Sequence, residues 1–432
     1  MGEKSRKILF TTIPSNELIS KEGLRKRYIN HNDLQQNMTY MAPKILQLKS
    51  FVPSNGLHFL KKNFPDDVVV LEYPTWDQYY KEIEKKYEII GISFHTYTAS
   101  SAIKMAKIAK AKGTMETWAG NYGAMTPGIE EYFDKIFIGT FEERLSNILG
   151  KQLPFIRHPE LYTYHTISGL RSFVKRKVGL IFSSRGCSMD CNFCPTPHFE
   201  PKVSYIEMDE LKRILDIYYL NNISHLHITD ETFLYNKKHS EQLIQETVKR
   251  GLPWSFLTRA DLVRGKIKEF KKQGMMWVGI GIESLNDKNL EKQNKGESLD
   301  VLMEVIDEAK INDLPLWGTY MIGYEDDTFE SVREEIEKLR KLNLLSIQFA
   351  VFTPFPGTKL WDQLKNKIFD YDWDHYDHMQ LVWRHPKIEP QKMLELFDLA
   401  HKRVNRPSNY LLKLLKLPHP KKVNYQPPSR KS

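Results

Sequence analysis

Short apolar runs alternate with amphipathic stretches along residues 1–150 of the chain. The apolar runs are rich in β-branched residues, and each ends near Gly or a small polar residue; they are 7–13, 67–73, 87–94, 115–121 and 135–140. Between two of them, SSAIKMAKIAKAKG (100–113) has apolar residues at helical spacing. This alternation is typical of a doubly wound parallel sheet, so we predict a Rossmann-like α/β domain over 1–150.

The ends of these predicted strands carry small and polar residues. In open α/β sheets, ligands bind in the crevice beyond the carboxyl ends of the strands. The segments 93–98, 120–126 and 139–142 fall there. Small residues also form simple turns at strand ends, so both interpretations stay open. The candidate crevice residues are Ser93, Thr96, Thr98, Gly120, Tyr122, Thr126 and Gly139.

A second βα series begins after a predicted linker at 151–170. Its strand-like runs are 178–184, 224–230, 254–260, 277–284, 316–323 and 345–352. Amphipathic stretches between them include 208–222, 298–313 and 328–343. Repeated βα units predict a parallel β/α barrel, possibly a partial one, over 171–365. The rhythm stops in the aromatic and basic segment 366–432, which we predict to be a helical C-terminal extension.

The bulk composition limits the class of protein. A chain of 432 residues is expected to form two or three domains. Its 63 basic and 54 acidic residues give a net charge of +9. Much of the excess lies in the final segment, so an ordinary basic surface is favoured over nucleic-acid binding. Neither a membrane-spanning stretch nor a signal-peptide pattern is visible, so we predict a cytoplasmic protein with no membrane partner.

All three cysteines of the chain lie within RGCSMDCNFCP (185–195). An odd count argues against a disulfide framework, and buried apolar cysteines would not explain the spacing. A structural zinc ion could use His198 as a fourth ligand. A four-iron four-sulfur (4Fe-4S) cluster held by three cysteines would keep one iron open. The loop follows the first predicted barrel strand, at the rim where barrel enzymes keep their chemistry, which favours the open cluster.

The pattern Cys187-x-x-x-Cys191-x-x-Cys194, with Phe193 before the last cysteine, resembles the signature of the radical S-adenosylmethionine (SAM) superfamily. The resemblance implies a 4Fe-4S cluster whose open iron binds the amino and carboxylate groups of SAM. It also implies one-electron cleavage of SAM to a 5′-deoxyadenosyl radical, with an external electron donor of the flavodoxin or ferredoxin type. Phe193 would lie beside the adenine.

Further segments resemble the SAM-contacting rim of the same superfamily. ITDETF (228–233) and GIGIES (279–284) are similar to its second-strand and fourth-strand segments. Arg259 closes another strand at that rim and is a candidate partner of the SAM carboxylate. The residues that the resemblance implies for SAM binding, besides Phe193 and Arg259, are Asp230, Glu231, Glu283 and Ser284.

Most of the chain resembles the cobalamin-binding subgroup of radical SAM proteins. The resemblance lies in WAGNYGAMTP (118–127), DKIFIGTFEERL (134–145), TYMIGYEDDT (319–328), FTPFPGTKLW (352–361), WDHYDHMQLVW (373–383) and AHKRVNRP (400–407). It implies that the crevice residues given above hold cobalamin. The chain departs from the pattern because it has no Asp-x-His, so no histidine can be assigned below the cobalt. Asn121 and Tyr122 also replace smaller residues of the Gly-rich turn, and Tyr122 either fills or lines the crevice.

The resemblance favours a cobalamin-dependent methyltransferase acting at an unactivated carbon of a small biosynthetic intermediate. The first alternative is a radical SAM enzyme without functional cobalamin, which performs rearrangement, cyclisation or transfer of another part of SAM. The second is a zinc-stapled nucleic-acid-binding protein, based on the net charge of +9 and a Cys3His set. The substrate is not predicted, because no single motif encodes that pocket.

Overall fold

The computed structural model describes residues 7–14, 47–49, 53–169, 172–405 and 425–427. Parts of three predicted regions lie outside the described residues. These regions are the first domain, the boundary between the linker and the barrel, and the C-terminal extension, including the last two residues of AHKRVNRP (400–407). The segments concerned are 1–6, 15–46, 50–52, 170–171, 406–424 and 428–432. In the described part of the chain, no helix is both long enough and apolar enough to span a membrane.

The strands are numbered along the chain. They are β1 Ile8–Thr12, β2 Gln47–Lys49, β3 Val68–Leu71, β4 Ile89–Ser93, β5 Glu116–Gly120, β6 Lys135–Ile136, β7 Leu161–Gly169, β8 Ser172–Ile181, β9 Ser184–Arg185, β10 Ser204–Tyr205, β11 His225–Ile228, β12 Trp254–Thr258, β13 Met275–Glu283, β14 Leu316–Ile322 and β15 Ser346–Val351. The α-helices are Asn55–Asn63, Trp76–Ile83, Ala99–Ala111, Glu142–Leu149, Thr196–Phe199, Met208–Leu220, Lys237–Lys249, Ala260–Val263, Ile267–Lys272, Asp287–Lys292, Leu299–Ile311, Phe329–Leu342, Lys359–Leu364 and Pro390–Val404.

The first domain contains a parallel sheet in the order β3-β1-β4-β5-β6. β1 is buried along its whole length and pairs with β3 and β4, through Ile8↔Val68 and Ile8↔Ile89. Apolar clusters lie on both faces of the sheet, as expected where helices cover a parallel sheet from both sides. The predicted Rossmann-like architecture is therefore confirmed.

The second sheet has the order β15-β14-β13-β12-β11-β8-β7-β2. From β8 to β15 all neighbouring strands are parallel, and helices join them. The order is linear, so within the described residues the sheet does not close on itself. A large apolar core packs between strands and helices. The predicted partial barrel is confirmed, because each βα repeat buries an apolar strand under an amphipathic helix.

Two segments near the predicted domain boundaries pair differently from the prediction. The predicted linker 151–170 contains β7, which forms an antiparallel hairpin with β8. Its sequence, LYTYHTISG, is extended because β-branched and aromatic residues favour strands. β2, which belongs to the predicted first domain by sequence, pairs with β7 in the barrel sheet. Only residues 151–160 of the predicted linker therefore act as a connector, because β7 begins at Leu161.

The predicted C-terminal extension is helical only in part. Residues 368–389 contain one short 3-10 turn, Trp373–His375, and an isolated antiparallel bridge between Ile368 and Trp383, whereas Pro390–Val404 is an α-helix. Asp370 and Asp372 explain the irregular stretch, because their carboxylates accept backbone N–H groups two residues ahead. The helix buries Met393, Leu396 and Phe397 in the barrel core.

Candidate active site

The loop that follows β8 contains all three cysteines. Cys187 and Cys191 are buried and Cys194 is half-buried. Gly186 begins the loop at a φ of 89°, and a Cβ there would lie 2.7 Å from the Glu200 carbonyl oxygen, so only glycine fits. The Cys187 N–H donates to that carbonyl at 3.1 Å. The loop therefore returns on itself between β9 and the helix Thr196–Phe199.

Elements from distant parts of the barrel hold the outer side of this loop. The Asn192 N–H donates to the Gln293 carbonyl at 2.9 Å, and its side-chain amide donates to the Lys292 carbonyl at 2.8 Å. The Asn192 carbonyl accepts the Leu360 N–H at 2.9 Å. The ends of two later helices thus fix the middle of the cysteine loop.

The thiols are chemically suited to an iron cluster with three protein ligands. The Met189 N–H donates to the Cys187 sulfur at 3.4 Å. Burial raises the pKa of the Cys194 thiol to about 12 and also raises the pKa of Cys191, so a bound metal is needed to hold them as thiolates. Across the described residues, no three His, Cys, Asp or Glu side chains are placed to hold a single metal ion. The donor set of three cysteines fits a cluster ligated at three corners.

A group of buried charges lies beside Cys191. Glu283 ends β13 in the left-handed region, at a φ of 62°, and its carboxylate accepts the Thr319 hydroxyl at 2.7 Å. A Cβ on Gly281 would lie 2.5 Å from a Glu283 carboxylate oxygen and 2.7 Å from the Lys295 ammonium, so these two charges meet over Gly281. Arg259 donates to the Lys295 carbonyl at 2.6 Å. The rim therefore offers both cations and a carboxylate next to the cysteine loop.

Burial works against the charge of Lys295, but the carboxylates of Glu297 and Glu283 outweigh it and raise the pKa of Lys295. Its ammonium lies 3.1 Å from Glu297. The ammonium is therefore protonated at neutral pH although it is buried. A buried cation beside an open iron site can receive the carboxylate of an amino acid.

Three of the predicted SAM-binding residues are engaged within the protein. Arg259 donates to the two carboxylate oxygens of Asp261 at 3.0 Å and 3.1 Å. Asp230 is fully buried and accepts the Ser183 N–H at 2.7 Å, the Ser183 hydroxyl at 2.5 Å and the Ser184 hydroxyl at 2.6 Å. Ser284 is also fully buried, and its hydroxyl accepts the Asn286 N–H at 3.1 Å. Asp230 and Ser284 fix the strand ends that carry the rim. Phe193 is half-buried in the cysteine loop and packs against the barrel core.

A cavity of about 690 Å³ lies between the carboxyl edges of the two sheets. Both domains contribute to its wall, and this volume is within the usual range of about 300–1,000 Å³ for ligand pockets. The first domain contributes Ser93, His95, Tyr97, Gly120, Tyr122 and Gly139, among others. The barrel and C-terminal segment contribute Arg185, Thr196, Phe199, Glu231, Trp277, Trp317, Asp377 and His378, among others.

The structure separates the predicted crevice residues into two groups. Ser93, Gly120, Tyr122 and Gly139 line the cavity. Thr96, Thr98 and Thr126 are buried behind its wall. The Thr126 hydroxyl donates to the Thr96 hydroxyl at 3.3 Å, and the Thr98 hydroxyl donates to the His95 carbonyl at 2.9 Å. These three threonines support the wall, and their role in cobalamin binding stays a prediction.

Tyr122 connects the first domain to the cysteine loop. Its hydroxyl lies 3.0 Å from the Thr196 hydroxyl, and its ring centre lies 4.5 Å from that of Phe199. Burial raises the pKa of Tyr122, so the phenol is neutral. Tyr122 therefore lines the cavity and does not close it.

Glu231 projects into the same cavity. Its side chain is exposed to that space, yet the surrounding protein and the neighbouring Asp230 raise its pKa to about 7. A carboxyl with this pKa exists in both protonation states near neutral pH. Glu231 is thus the predicted SAM-contacting residue with the clearest access to a ligand in the cavity.

A model of the radical SAM superfamily matches residues 181–339. This range begins at the end of β8 and contains the three cysteines, Arg259 and Glu283. The central domain belongs to the radical SAM superfamily. The chain is therefore a radical SAM enzyme, a type that uses a 4Fe-4S cluster and SAM, and the expectation drawn from the resemblance of its cysteine motif is confirmed. The zinc-stapled nucleic-acid-binding alternative loses its basis.

The radical SAM chain has methyltransferase and cyclase relatives. It is 22% identical to bacteriochlorophyllide d C-12(1)-methyltransferase of Chlorobaculum tepidum, over 79% of this chain and 80% of that protein. It is 23% identical to the anaerobic magnesium-protoporphyrin IX monomethyl ester cyclase of Rubrivivax gelatinosus, over 51% of this chain and 41% of that protein.

A solved structure shares the fold of the radical SAM chain. The methyltransferase TsrM from Kitasatospora setae, solved with cobalamin and a 4Fe-4S cluster bound, superposes with a TM-score of 0.59. The identity is 15%, and the match covers 84% of this chain and 78% of that chain. Because the match extends beyond the radical SAM domain, it shows that the two-domain architecture is shared.

The structure adds site residues that sequence reasoning did not single out. Lys295 has no motif around it that marks it, and only the folded chain brings it to Cys191. His95 lies inside the predicted crevice segment 93–98, so its position at a strand end was the available signal. Asp377 and His378 reach the cavity from the C-terminal segment, which the sequence pattern predicts only as a helical extension.

Proposed function

We propose that this radical SAM enzyme is a cobalamin-dependent methyltransferase that acts at an unactivated carbon of a small biosynthetic intermediate. The observation that supports this proposal is the cavity of about 690 Å³ between the two sheet edges, with the cysteine loop in contact with its wall. The position of this cavity, at the carboxyl edges of two α/β sheets and next to the predicted SAM site, suits a large flat cofactor. The relatives named as methyltransferases and the cobalamin in the TsrM structure favour the same conclusion.

The chain's own residues have separate tasks in this proposal. When bound, the cluster supplies an electron for cleavage of SAM and cobalamin supplies the methyl group. Cys187, Cys191 and Cys194 hold the iron. The buried cations of Arg259 and Lys295 attract the SAM carboxylate, and Glu283 accepts hydrogen bonds from its amino group or ribose hydroxyls.

The barrel floor of the cavity protects reactive species from water. Trp277 and Trp317 line it, together with Leu257. A Cβ on Gly279 would lie 2.4 Å from the Leu257 side chain and 2.8 Å from that of Trp317, so glycine is what admits both side chains. Apolar walls of this kind exclude water, which limits side reactions of reactive intermediates.

Cobalamin retention tests the cofactor part of the proposal. The reconstituted protein is incubated with hydroxocobalamin, desalted and examined by absorbance, and we expect stoichiometric retention. Tyr122→Gly removes a ring from the cavity wall and should lower retention. Tyr371→Gly, which removes a 64% exposed tyrosine outside the wall, is the matched control and should retain the cofactor. Absence of retention in the unaltered protein would refute cobalamin dependence.

Calorimetry with SAM tests the other half of the site. Glu283→Gln keeps the size of the side chain and removes its charge. We expect an intact cluster and SAM binding weakened by about 1.5–3 kcal/mol, the value of a hydrogen bond to a charged group. Unchanged SAM affinity would remove Glu283 from the site.

The alternative proposal is a radical SAM enzyme without functional cobalamin. The similarity to a protein named as a cyclase favours keeping it. SAM cleavage without any cobalamin retention would support this alternative. An electron donor of the flavodoxin or ferredoxin type and a cytoplasmic location stay predictions within both proposals.

A further inference from the structure

Three histidines line the described wall of the cavity, and two of them belong to other parts of the structure. The His227 ring stacks on Trp277 at 5.0 Å in the barrel, and its Nδ1 lies 3.0 Å from the Ser255 hydroxyl. The ring of His378, in the C-terminal segment, lies 4.4 Å from that of Phe355. Only His95 comes from the first-domain side of this wall.

The backbone around His95 is held in place just beyond the end of β4. Its N–H donates to the Thr98 hydroxyl at 3.2 Å, and its carbonyl accepts both the Thr98 N–H and the Thr98 hydroxyl at 2.9 Å. Three hydrogen bonds to one residue fix the turn that follows the strand. The half-buried His95 side chain is thereby presented to the cavity at the carboxyl edge of the sheet.

The His95 ring is part of an aromatic row. It is parallel to the Tyr97 ring, with centres 5.3 Å apart and planes at 1°, and nearly parallel to the Tyr122 ring, at 6.0 Å and 16°. Tyr122 is fixed in turn by its contact with Thr196 in the segment after the cysteine loop. The imidazole is thus oriented from both sides.

Burial lowers the pKa of His95 to about 4. The imidazole is therefore neutral at physiological pH, which is the form that binds metals. A neutral ring also places no positive charge in the cavity wall. These properties agree with the geometry above.

We propose that the imidazole of His95 is the first-domain ligand to the cobalt of bound cobalamin. This inference rests on the proposed function. A flat cofactor held between the two domains would present one face to each of them, so a ligand from the first domain would leave the other face open to the barrel. Ligation replaces a cobalt-bound water by the imidazole lone pair, the water leaves, and no proton or electron is transferred. The sequence pattern predicted no such ligand, because it lacks Asp-x-His.

Electron paramagnetic resonance of the cobalt(II) form tests this assignment. The full-length protein is loaded with hydroxocobalamin and reduced. It is prepared once with ordinary histidine and once with histidine labelled by nitrogen-15 in the ring. We expect a threefold nitrogen splitting of the cobalt lines in the first sample and a twofold splitting in the second. His95→Phe should lose the nitrogen splitting, whereas His378→Asn, the matched cavity-histidine control, should keep it.

Each outcome separates this inference from the proposed function. Retained cobalamin with no nitrogen splitting, or with a threefold splitting unchanged by the label, overturns the His95 assignment and leaves the cofactor proposal intact. A twofold splitting that persists in His95→Phe assigns the ligand to another histidine and also overturns it. Absence of cobalamin retention overturns both. If His95→Phe fails to fold, the test uses the labelled unaltered protein and the variants His227→Phe and His378→Asn. Loss of the nitrogen splitting in either variant contradicts the assignment to His95.

Discussion

At the scale of single residues, the site is built from buried groups that depend on specific partners. The three cysteines lie within eight positions, so the local chain alone keeps them together. Lys295 and Glu283, by contrast, meet only through the fold, over Gly281. Buried charges of this kind are stable because each has an opposite charge or a hydrogen-bond donor beside it.

Replacing any one of Cys187, Cys191 or Cys194 by Ala should abolish stable cluster binding. The chain has no other cysteine to substitute for the missing thiolate. Iron content and absorbance near 400 nm after anaerobic reconstitution should collapse, and reductive SAM cleavage should stop. His198→Ala is the control and should retain iron. Equal loss of metal in that control would support a single zinc ion held by the three cysteines and His198.

Asp230 should make stability depend on pH. Burial raises the pKa of its carboxyl to about 6, whereas the unfolded chain has the ordinary value near 4. Between about pH 4 and 6 the unfolded state ionises first, so the free energy of unfolding falls as pH rises, by up to about 3 kcal/mol. Urea unfolding should show this fall in the unaltered protein and a smaller fall in Asp230→Asn, where Glu231 with its raised pKa still contributes.

The matched control for that pH dependence is Asp326→Asn. Asp326 is 60% exposed at its side chain, and its hydrogen bond with Lys292 lowers its pKa, so it contributes no such fall. This variant should therefore lose stability between pH 4 and 6 in parallel with the unaltered protein. The same loss in Asp230→Asn would contradict the assignment to Asp230.

At the scale of elements, the connection between the first domain and the cysteine loop depends on close backbone approach. The Thr140 N–H and hydroxyl donate to Glu200 at 2.7 Å and 2.8 Å. Gly139, at a φ of 94°, allows this contact, because a Cβ there would lie 2.9 Å from the Glu200 carboxylate and 3.0 Å from the Phe199 carbonyl oxygen. One loop of each domain is therefore shaped to fit the other.

Gly139→Ala should disturb the hydrogen bonds between Thr140 and Glu200, and backbone strain alone should not account for the whole effect. An L-residue in the left-handed region costs about 1–2 kcal/mol, and the added methyl would also displace Glu200. Gly113→Ala is the control, since Gly113 has a φ of 90° and no neighbour within 4 Å of its Cβ position. Hydrogen exchange at the Thr140 amide should accelerate only in Gly139→Ala. Equal acceleration in both variants would show that crowding is unimportant.

At the scale of the whole molecule, an ion pair joins the two domains beside the cavity. Arg185 of the barrel and Glu142 of the first domain lie 2.6 Å apart, with side chains 13% and 3% exposed. The Arg185 guanidinium also packs over the Phe59 ring at 4.7 Å. Both side chains are largely buried, so each charge depends on the other for stabilisation.

Glu142→Gln should weaken the association of the two domains. It leaves the Arg185 charge buried without a counter-charge, which typically costs about 3–5 kcal/mol. Urea unfolding with limited proteolysis should show the domains separating earlier than in the unaltered protein. Glu395→Gln breaks the exposed pair with Lys392 and should cost about 1 kcal/mol or less. Similar costs for both changes would rule out the buried pair as an interdomain bond.

The sequence by itself determined most of the strands and helices, and it placed the three candidate metal-binding cysteines together on one loop. Side-chain periodicity and cysteine spacing are local properties, so the predicted runs agree with β1, β4, β11 and the other sheet strands. The local pattern is a weaker guide at the ends of the domains. β7 falls in the predicted linker although its partner β8 follows it directly in a hairpin, and in the described part of the C-terminal extension the α-helix is Pro390–Val404.

Only the tertiary structure decided which of the candidate residues meet. It placed Tyr122 against Thr196, Lys295 beside Cys191 and Glu142 against Arg185, and it turned His95 but not Thr96 toward the cavity. These contacts join residues tens to more than a hundred positions apart in the chain. No periodicity encodes them, because they arise from the packing of two sheets whose edges meet. The chemistry of the cysteines is local, and the cavity around them is a property of the fold.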